Sequence, residues 1–243
     1  MVTFSMLSKI GKRENNEDSI GMYQDENRYC FILADGLGGH GKGEVASRLA
    51  VDSAVERFVL QDKKENFIDE AFACAQNVII KKQGEDHLCM DMKTTLVILD
   101  IEENSVQWGH IGDSRLYFFK NKKLVQRTLD HSVPQMLASV GEIREKDIRH
   151  HPDRNRLLRV LGMEIDEQKH EKSAKKLREK GEAFLLCSDG FWELIEEKKM
   201  ESCLKRAKTP EEWLSRMEEI VLKNGRNTNM DNYSAIVVWV DKE

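Results

Sequence analysis

In the segment FILADGLGGHGKG an apolar run stops at Asp35, and five glycines follow within residues 36–43. Glycines strip a loop of side-chain bulk, so its backbone can approach a charged ligand closely. Phosphate chemistry is the natural use, and three mechanisms are open to the loop. Gly36-x-x-x-x-Gly41-Lys42 matches most of a P-loop, but Gly43 stands where Ser or Thr is needed to hold magnesium. Gly36-x-Gly38-x-x-Gly41 also matches the dinucleotide fingerprint, with Glu56 near the place of a ribose-binding acid. The third mechanism is a metal-holding turn, in which Asp35 and a loop carbonyl are ligands. A flexible strand-to-helix connection is the bland alternative.

The other carboxylates bear on the choice. Asp189-Gly190 follows the apolar run 184–187, and Asp113 follows the run 106–111. Asp231-Asn232 immediately precedes the run 234–240, and Glu17-Asp18 lies close to the first strands. One Asp-Gly is an ordinary turn. Several acids at strand ends repel one another and need positive charge or raised pKa values. Divalent cations meet that need, and oxygen-only ligands select Mg²⁺ or Mn²⁺ over zinc. Two such ions about 3.5–4 Å apart can share a carboxylate and a hydroxide that attacks phosphorus in line.

The elements that must position these acids are legible as patterns. Apolar runs with strand character occupy 29–34, 94–100, 106–111, 116–119, 183–188 and 234–240. Helical spacing covers 44–59 and 66–82, and a third helix spans 210–223 with Pro210 in its first turn. A strand, two consecutive helices and then hairpin-like strands is not the alternation that builds a parallel sheet. Antiparallel sheets with helices packed outside fit this order. Residues 141–180 are the least regular stretch and form a mobile charged excursion in this reading. No Pro/Gly/Ser linker divides the chain.

Composition bounds the partners. The 243 residues can bury a sizeable core as one unit. With 43 acidic against 38 basic residues the net charge is −5, which argues against a general nucleic-acid binder. The five cysteines form no C-x-x-C and read as free thiols of a reducing cytoplasm. The first residues carry no apolar leader, and no run approaches a membrane span. The expectation is a cytoplasmic protein without membrane contact.

Eight motifs in order carry a resemblance over nearly the whole chain. They are G-x-R-x-x-N-E-D at 11–18, A-D-G-L-G-G-H at 34–40, G-E-V-A-S at 43–47, T-T at 94–95, G-D-S-R at 112–115, D-H-S at 130–132, C-S-D-G at 187–190 and D-N at 231–232. In these the chain resembles the metal-dependent protein phosphatases of type 2C in their compact bacterial form. The resemblance implies an α+β, four-layer αββα sandwich, with two central antiparallel sheets flanked by helix pairs. It implies a single catalytic domain over 1–243, with a flap at about 141–180. Asp35 would bridge two Mn²⁺ or Mg²⁺ ions, the Gly36 carbonyl would bind the first, and Asp189 and Asp231 would complete the second site. Glu17 and Asp18 would hold metal-bound waters, and Asp113 would bind a possible third ion with Asp189. Arg13 would grip the substrate phosphate, as a guanidinium pairs bidentately with its oxygens. His40 would act as general acid, since imidazole titrates near neutrality. The other imidazoles, His150 and His151 included, read as surface residues, and the charged run 169–180 reads as a solvated face.

The implied activity is hydrolysis of phosphoserine and phosphothreonine in proteins, opposing a Ser/Thr kinase. Lys93 stands where the family usually has glycine, and NTNMDNYS replaces its commoner G-x-x-D-N-I-T. Neither change removes an expected ligand. Two other functions remain distinct from this one: a nucleotide-binding switch built on Gly36–Lys42, and a non-catalytic phosphoprotein-binding module of the same fold.

Overall fold

The computed structural model describes residues 1–37, 42–60, 66–163 and 170–240. Its strands are β1 (Val2–Lys9), β2 (Asp18–Asp25), β3 (Arg28–Leu37), β4 (Lys93–Thr94), β5 (Leu96–Ile101), β6 (Ser105–Ile111), β7 (Arg115–Lys120), β8 (Lys123–Arg127), β9 (Glu171–Lys172), β10 (Lys176–Leu177), β11 (Glu182–Cys187) and β12 (Tyr233–Val240). The helices are α1 (Gly43–Leu60), α2 (Phe67–Glu85), α3 (Val133–Ser139), α4 (Asp189–Trp192), α5 (Glu197–Arg206) and α6 (Pro210–Gly225). One sheet runs β1-β12-β11-β7-β8 and the other β10-β6-β5-β3-β2, with β4 on β3 and β9 on β6.

Side-chain alternation explains the layers. Phe31 and Leu33 of β3 and Val97 and Leu99 of β5 meet Phe184, Leu186, Ile236 and Val238 of the other sheet in the central core. The alternate residues Cys30, Ile32, Ala34, Leu96 and Ile98 face α1 and α2. On the far side Leu185, Cys187, Ala235 and Val237 face α5 and α6, where Trp213 is fully buried. These strands are therefore covered on both faces, which is why they read as continuous apolar runs. Ala46, Ala50 and Ala54 of α1 and Ala71 and Ala75 of α2 let that helix pair lie close to the sheet. The result is the expected four-layer sandwich.

Several elements escape the sequence patterns. In β1, β2 and β8 only part of each strand is covered, so apolar and polar residues mix without a clean run. Helix α5 buries only Met200, Cys203 and Leu204 among charged neighbours. The described residues of the excursion at 141–180 are sparse in regular structure but well anchored: Gln76 holds Gly162 N and Met163 O, and Gln83 donates to Gly162 O at 2.8 Å. The charged run is not simply solvated either. Lys176 pairs with the buried Glu182 at 2.6 Å and lies 3.5 Å from the Phe118 ring centroid. Sheet pairing of β10 with β6 pulls that lysine over the aromatic edge of the core. Lys93 sits in β4 opposite Leu37 without a left-handed backbone, so the glycine usual there is not required by conformation.

Trp213 also donates its indole N–H to Met200 O at 3.1 Å, tying α6 to α5. Trp213→Ala is expected to lower stability by about 3–5 kcal/mol, measured as a fall in the urea midpoint.

Candidate active site

Backbone strands bring the acids to one end of the sandwich. Asp18 opens β2 directly opposite Asp35 of β3. Thr95 fixes Asp35 from both sides: its hydroxyl accepts from Asp35 N at 2.9 Å and its own N–H donates to Asp35 O at 2.9 Å. Thr94 Oγ1 donates to the same carbonyl at 2.9 Å. The T-T motif is thus the clamp on Asp35. Gly36 N donates to Glu17 O at 3.1 Å, and Ser47 of α1 donates to that carbonyl at 2.5 Å. A Cβ on Gly36 would sit 2.2 Å from Gly43 O, so the start of α1 can close on the end of β3 only over glycine.

Asp113 lies just beyond β6, where Trp192 Nε1 donates to its carbonyl at 2.9 Å. The next residue, Ser114, shares a 2.8 Å hydroxyl contact with Thr95. Asp189 begins α4 directly after β11. Ser188 donates to Asp18 Oδ2 at 2.8 Å and accepts from Ser234 N at 3.0 Å. Asn232 accepts from Glu17 N at 2.8 Å and donates to Ile10 O and Asn15 O. Arg13 donates to Asp231 Oδ2 at 2.6 Å. Arg13, Glu17, Asp18, Asp35, Gly36, Asp113, Asp189 and Asp231 therefore share one end of the fold. His40 lies outside the described residues.

Burial and mutual repulsion set the electrostatics. Burial, then the charges of Asp18, Asp189, Asp113 and Asp231, push Asp35 well above the usual carboxylate range. Asp113 is pushed up likewise by burial and Asp189. Burial raises Asp18 to about 7 against its two serine hydrogen bonds, and burial with Asp231 raises Asp189 to about 6. Asp18 Oδ1 is buried with no hydrogen-bond partner. Arg13 is held further toward its charged form, chiefly by its bond to Asp231. Buried oxygen donors with an excess of negative charge suit a hard divalent cation.

A cleft of ≈ 1540 Å³ opens beside Arg13, Asp189 and Asp231 and continues past Arg149, Arg154 and Glu193. Glu193 pairs with Arg154 at 3.1 Å, and burial with the charge of Asp189 raises it to about 7. The excursion thus forms one wall of the cleft.

Both nucleotide readings of the glycine loop fail on topology. P-loops and dinucleotide folds need a parallel βαβ unit, whereas β3 pairs antiparallel with β2, β4 and β5. Lys42 pairs with neighbouring Glu44 at 3.5 Å.

The family is decided by comparison. A family model for protein phosphatase 2C matches residues 7–233. The chain belongs to the protein phosphatase 2C family. The serine/threonine phosphatase stp of Listeria monocytogenes is 32% identical over 237 residues, covering 94% of this chain and 92% of that protein. The crystal structure of serine/threonine phosphatase Stp1 from Staphylococcus aureus matches with a TM-score of 0.90 at 26% identity, over 100% and 96% of the two chains. The catalytic domain of the phosphatase PstP, solved in complex with two manganese ions, matches at 0.84 and 27% identity over 99% of each chain. The protein is accordingly a metal-dependent serine/threonine protein phosphatase.

Sequence reasoning passed over Trp192 and wrongly placed two imidazoles at the surface. Trp192, which holds Asp113 O and stacks its ring 3.4 Å from the Arg115 guanidinium, gives no signal beyond its place after Asp189-Gly190. His110 and His131 are buried, not surface residues. Each ring serves a backbone group inside the phosphatase: His110 Nε2 contacts Leu129 O at 2.7 Å, and His131 Nδ1 accepts from Gly112 N at 3.2 Å. Burial and the neighbouring His110 push His131 down to about 4.

A carboxyl whose pKa is raised by folding stabilises the protein only while protonated. Asp18 at about 7 and Asp189 at about 6 therefore cost the metal-free phosphatase stability as pH rises from about 4 toward 7. Thermal melts are expected to show that loss, and added Mn²⁺ to raise the midpoint more at pH 8 than at pH 5.5, with proton release on binding.

Proposed function

We propose that the chain removes phosphate from phosphoserine and phosphothreonine of proteins with two Mn²⁺ or Mg²⁺ ions held by Asp35, the Gly36 carbonyl, Asp189 and Asp231. The observation that carries this reading is the carboxylate cluster, buried at Asp18 and Asp113 and half-buried at Asp35 and Asp189: no ion pair among the described residues reaches any of the four, and Asp18 Oδ1 has no partner. When bound, such ions neutralise the acids, polarise phosphoryl oxygens and activate water. Asp113 with Asp189 would hold a third ion. Glu17 and Asp18 would orient ligand waters by accepting hydrogen bonds from them.

The side chains then divide the work on the substrate. Arg13 faces the cleft beside Asp231 and supports bidentate binding of the phosphate dianion. A cation held by Asp231 would compete with Arg13 for that carboxylate, and the guanidinium would then be available to phosphate. His40, flanked in sequence by Gly39 and Gly41 of the loop that follows Asp35, would protonate the departing serine or threonine oxygen. The intact acid set favours turnover over a non-catalytic binding module. The partners in this reading are phosphorylated proteins and the Ser/Thr kinase that produces them, in the cytoplasm. No helix among the described residues is long and apolar enough to cross a membrane.

Hydrolysis of p-nitrophenyl phosphate with and without Mn²⁺ tests the mechanism. Chelation and Asp189→Ala are each expected to abolish turnover, and activity surviving either would sink it. Arg13→Ala is expected to lower kcat/KM for a phosphopeptide about 10- to 150-fold, the worth of a charged hydrogen bond, with folding unchanged.

A further inference from the structure

The D-H-S motif at 130–132 is not used by the mechanism above, yet each of its residues is buried. Asp130 binds Arg115 through two hydrogen bonds of 2.7 and 2.6 Å, and Ser132 caps α3. His131 makes the longest-range set of contacts. Its N–H donates to Gly112 O at 2.9 Å and its ring Nδ1 accepts from Gly112 N at 3.2 Å, so both polar backbone groups of that glycine are held by one residue. Its carbonyl accepts from Leu158 N at 2.8 Å, inside the excursion. Its Nε2 lies 3.3 Å from Glu171 Oε1, where the excursion returns through β9. The ring also stacks on His110, with centroids 4.7 Å apart.

His110, His131 and Glu171 lie close enough for their donor atoms to surround a metal ion. The tautomer of His131 opposes that use. A ring nitrogen that accepts from an amide N–H bears no proton, so the proton of the neutral ring is on Nε2. Nε2 is the atom facing Glu171, and because it carries the proton it is not a ligand. The contact is imperfectly directed, since Nε2 makes no hydrogen bond that meets ordinary angular criteria.

We propose that His131 is a positioning residue that couples the flap excursion to the Gly112–Asp113 segment. Leu158 and Glu171 mark two points of the excursion, and Gly112 immediately precedes the acid assigned to the third ion. Displacement of either point turns the imidazole or shifts its backbone, and both movements are felt at Gly112. Its consequence for metal binding rests on the role given to Asp113 above, while the link itself does not.

The experiment uses the full chain and three variants. His131→Asn keeps an acceptor near the place of Nδ1, His131→Gln keeps a donor near the place of Nε2, and Glu171→Ala removes only the carboxylate on the flap side. In the metal-free wild type, ¹⁵N shifts of the ring are expected to report the Nε2–H tautomer and to be unmoved by Zn²⁺. Amide exchange at Gly112 is expected to quicken about 3- to 10-fold in His131→Gln, and by a smaller, matching factor in Glu171→Ala and His131→Asn, which both keep the acceptor for Gly112 N and lose the flap-side contact. Calorimetry should show the weakest Mn²⁺ step weakened by a similar factor in His131→Gln and partly restored in His131→Asn. An Nδ1–H tautomer, a Zn²⁺-shifted ring, or Gly112 exchange unchanged in both His131→Gln and Glu171→Ala would overturn the coupling. Glu171 is half exposed, so its variant carries the test if the histidine variants do not fold. A wild type that binds no Mn²⁺ would instead overturn the metal reading, and leave the exchange result to decide the link.

Discussion

Repulsion among buried carboxylates is the constraint around which this fold is arranged. Asp18 and Asp113, buried, and Asp35 and Asp189, half-buried, sit at one end of a sheet sandwich with their pKa values all displaced upward. Such a set resists being brought together, and in isolation it would spread or protonate. The chain holds it with neutral groups. Thr94 and Thr95 clamp Asp35, Ser188 reaches Asp18, and Asn232 pins the Glu17 backbone. Hydroxyls and amides fix the backbone without cancelling the charge, so the carboxylates keep their appetite for cations.

The sandwich supplies the rigidity that this requires. Central strands β3, β5, β11 and β12 are covered on both faces, so a displacement at their ends would disturb close-packed side chains in two layers at once. Each acid is placed at or just past a strand end: Asp35 near the end of β3, Asp113 after β6, Asp189 after β11 and Asp231 before β12. Precision thus comes from the sheets, while the loops carry the chemistry. Small residues have a matching role. Alanines of α1 and α2 bring that helix pair onto the sheet, and Gly36 lets the first turn of α1 close over the end of β3.

Around this centre lies a second tier of buried polar contacts joining distant segments. Arg115 pairs with Asp130 and lies on the Trp192 ring, and Trp192 in turn holds Asp113 O. His131 ties Gly112 to the excursion. These groups are more than 100 residues from Arg13 or Asp231 in places, and one of them, Arg115, lines the same cleft. Membership of the protein phosphatase 2C family places this arrangement among the metal-dependent serine/threonine phosphatases.

Residue type and order alone determined the chemistry class and the layers. Asp35, Asp113, Asp189 and Asp231 each stand at the edge of an apolar run, and that repetition is visible without coordinates because strands buried on both faces leave continuous apolar signals. The half-covered β1, β2 and β8 leave no such signal, and the few apolar residues of α5 are lost among charges. Tertiary structure decided what depends on neighbours distant in sequence. The glycine loop matched nucleotide folds until antiparallel pairing of β3 removed the βαβ unit they need. His110 and His131 looked like surface imidazoles until two backbone groups, Leu129 O and Gly112 N, were found to need them. The physical reason is common to these cases. A local pattern records which residues will be covered, but hydrogen-bond partners and electrostatic neighbours are assigned only when strands from opposite ends of the chain meet.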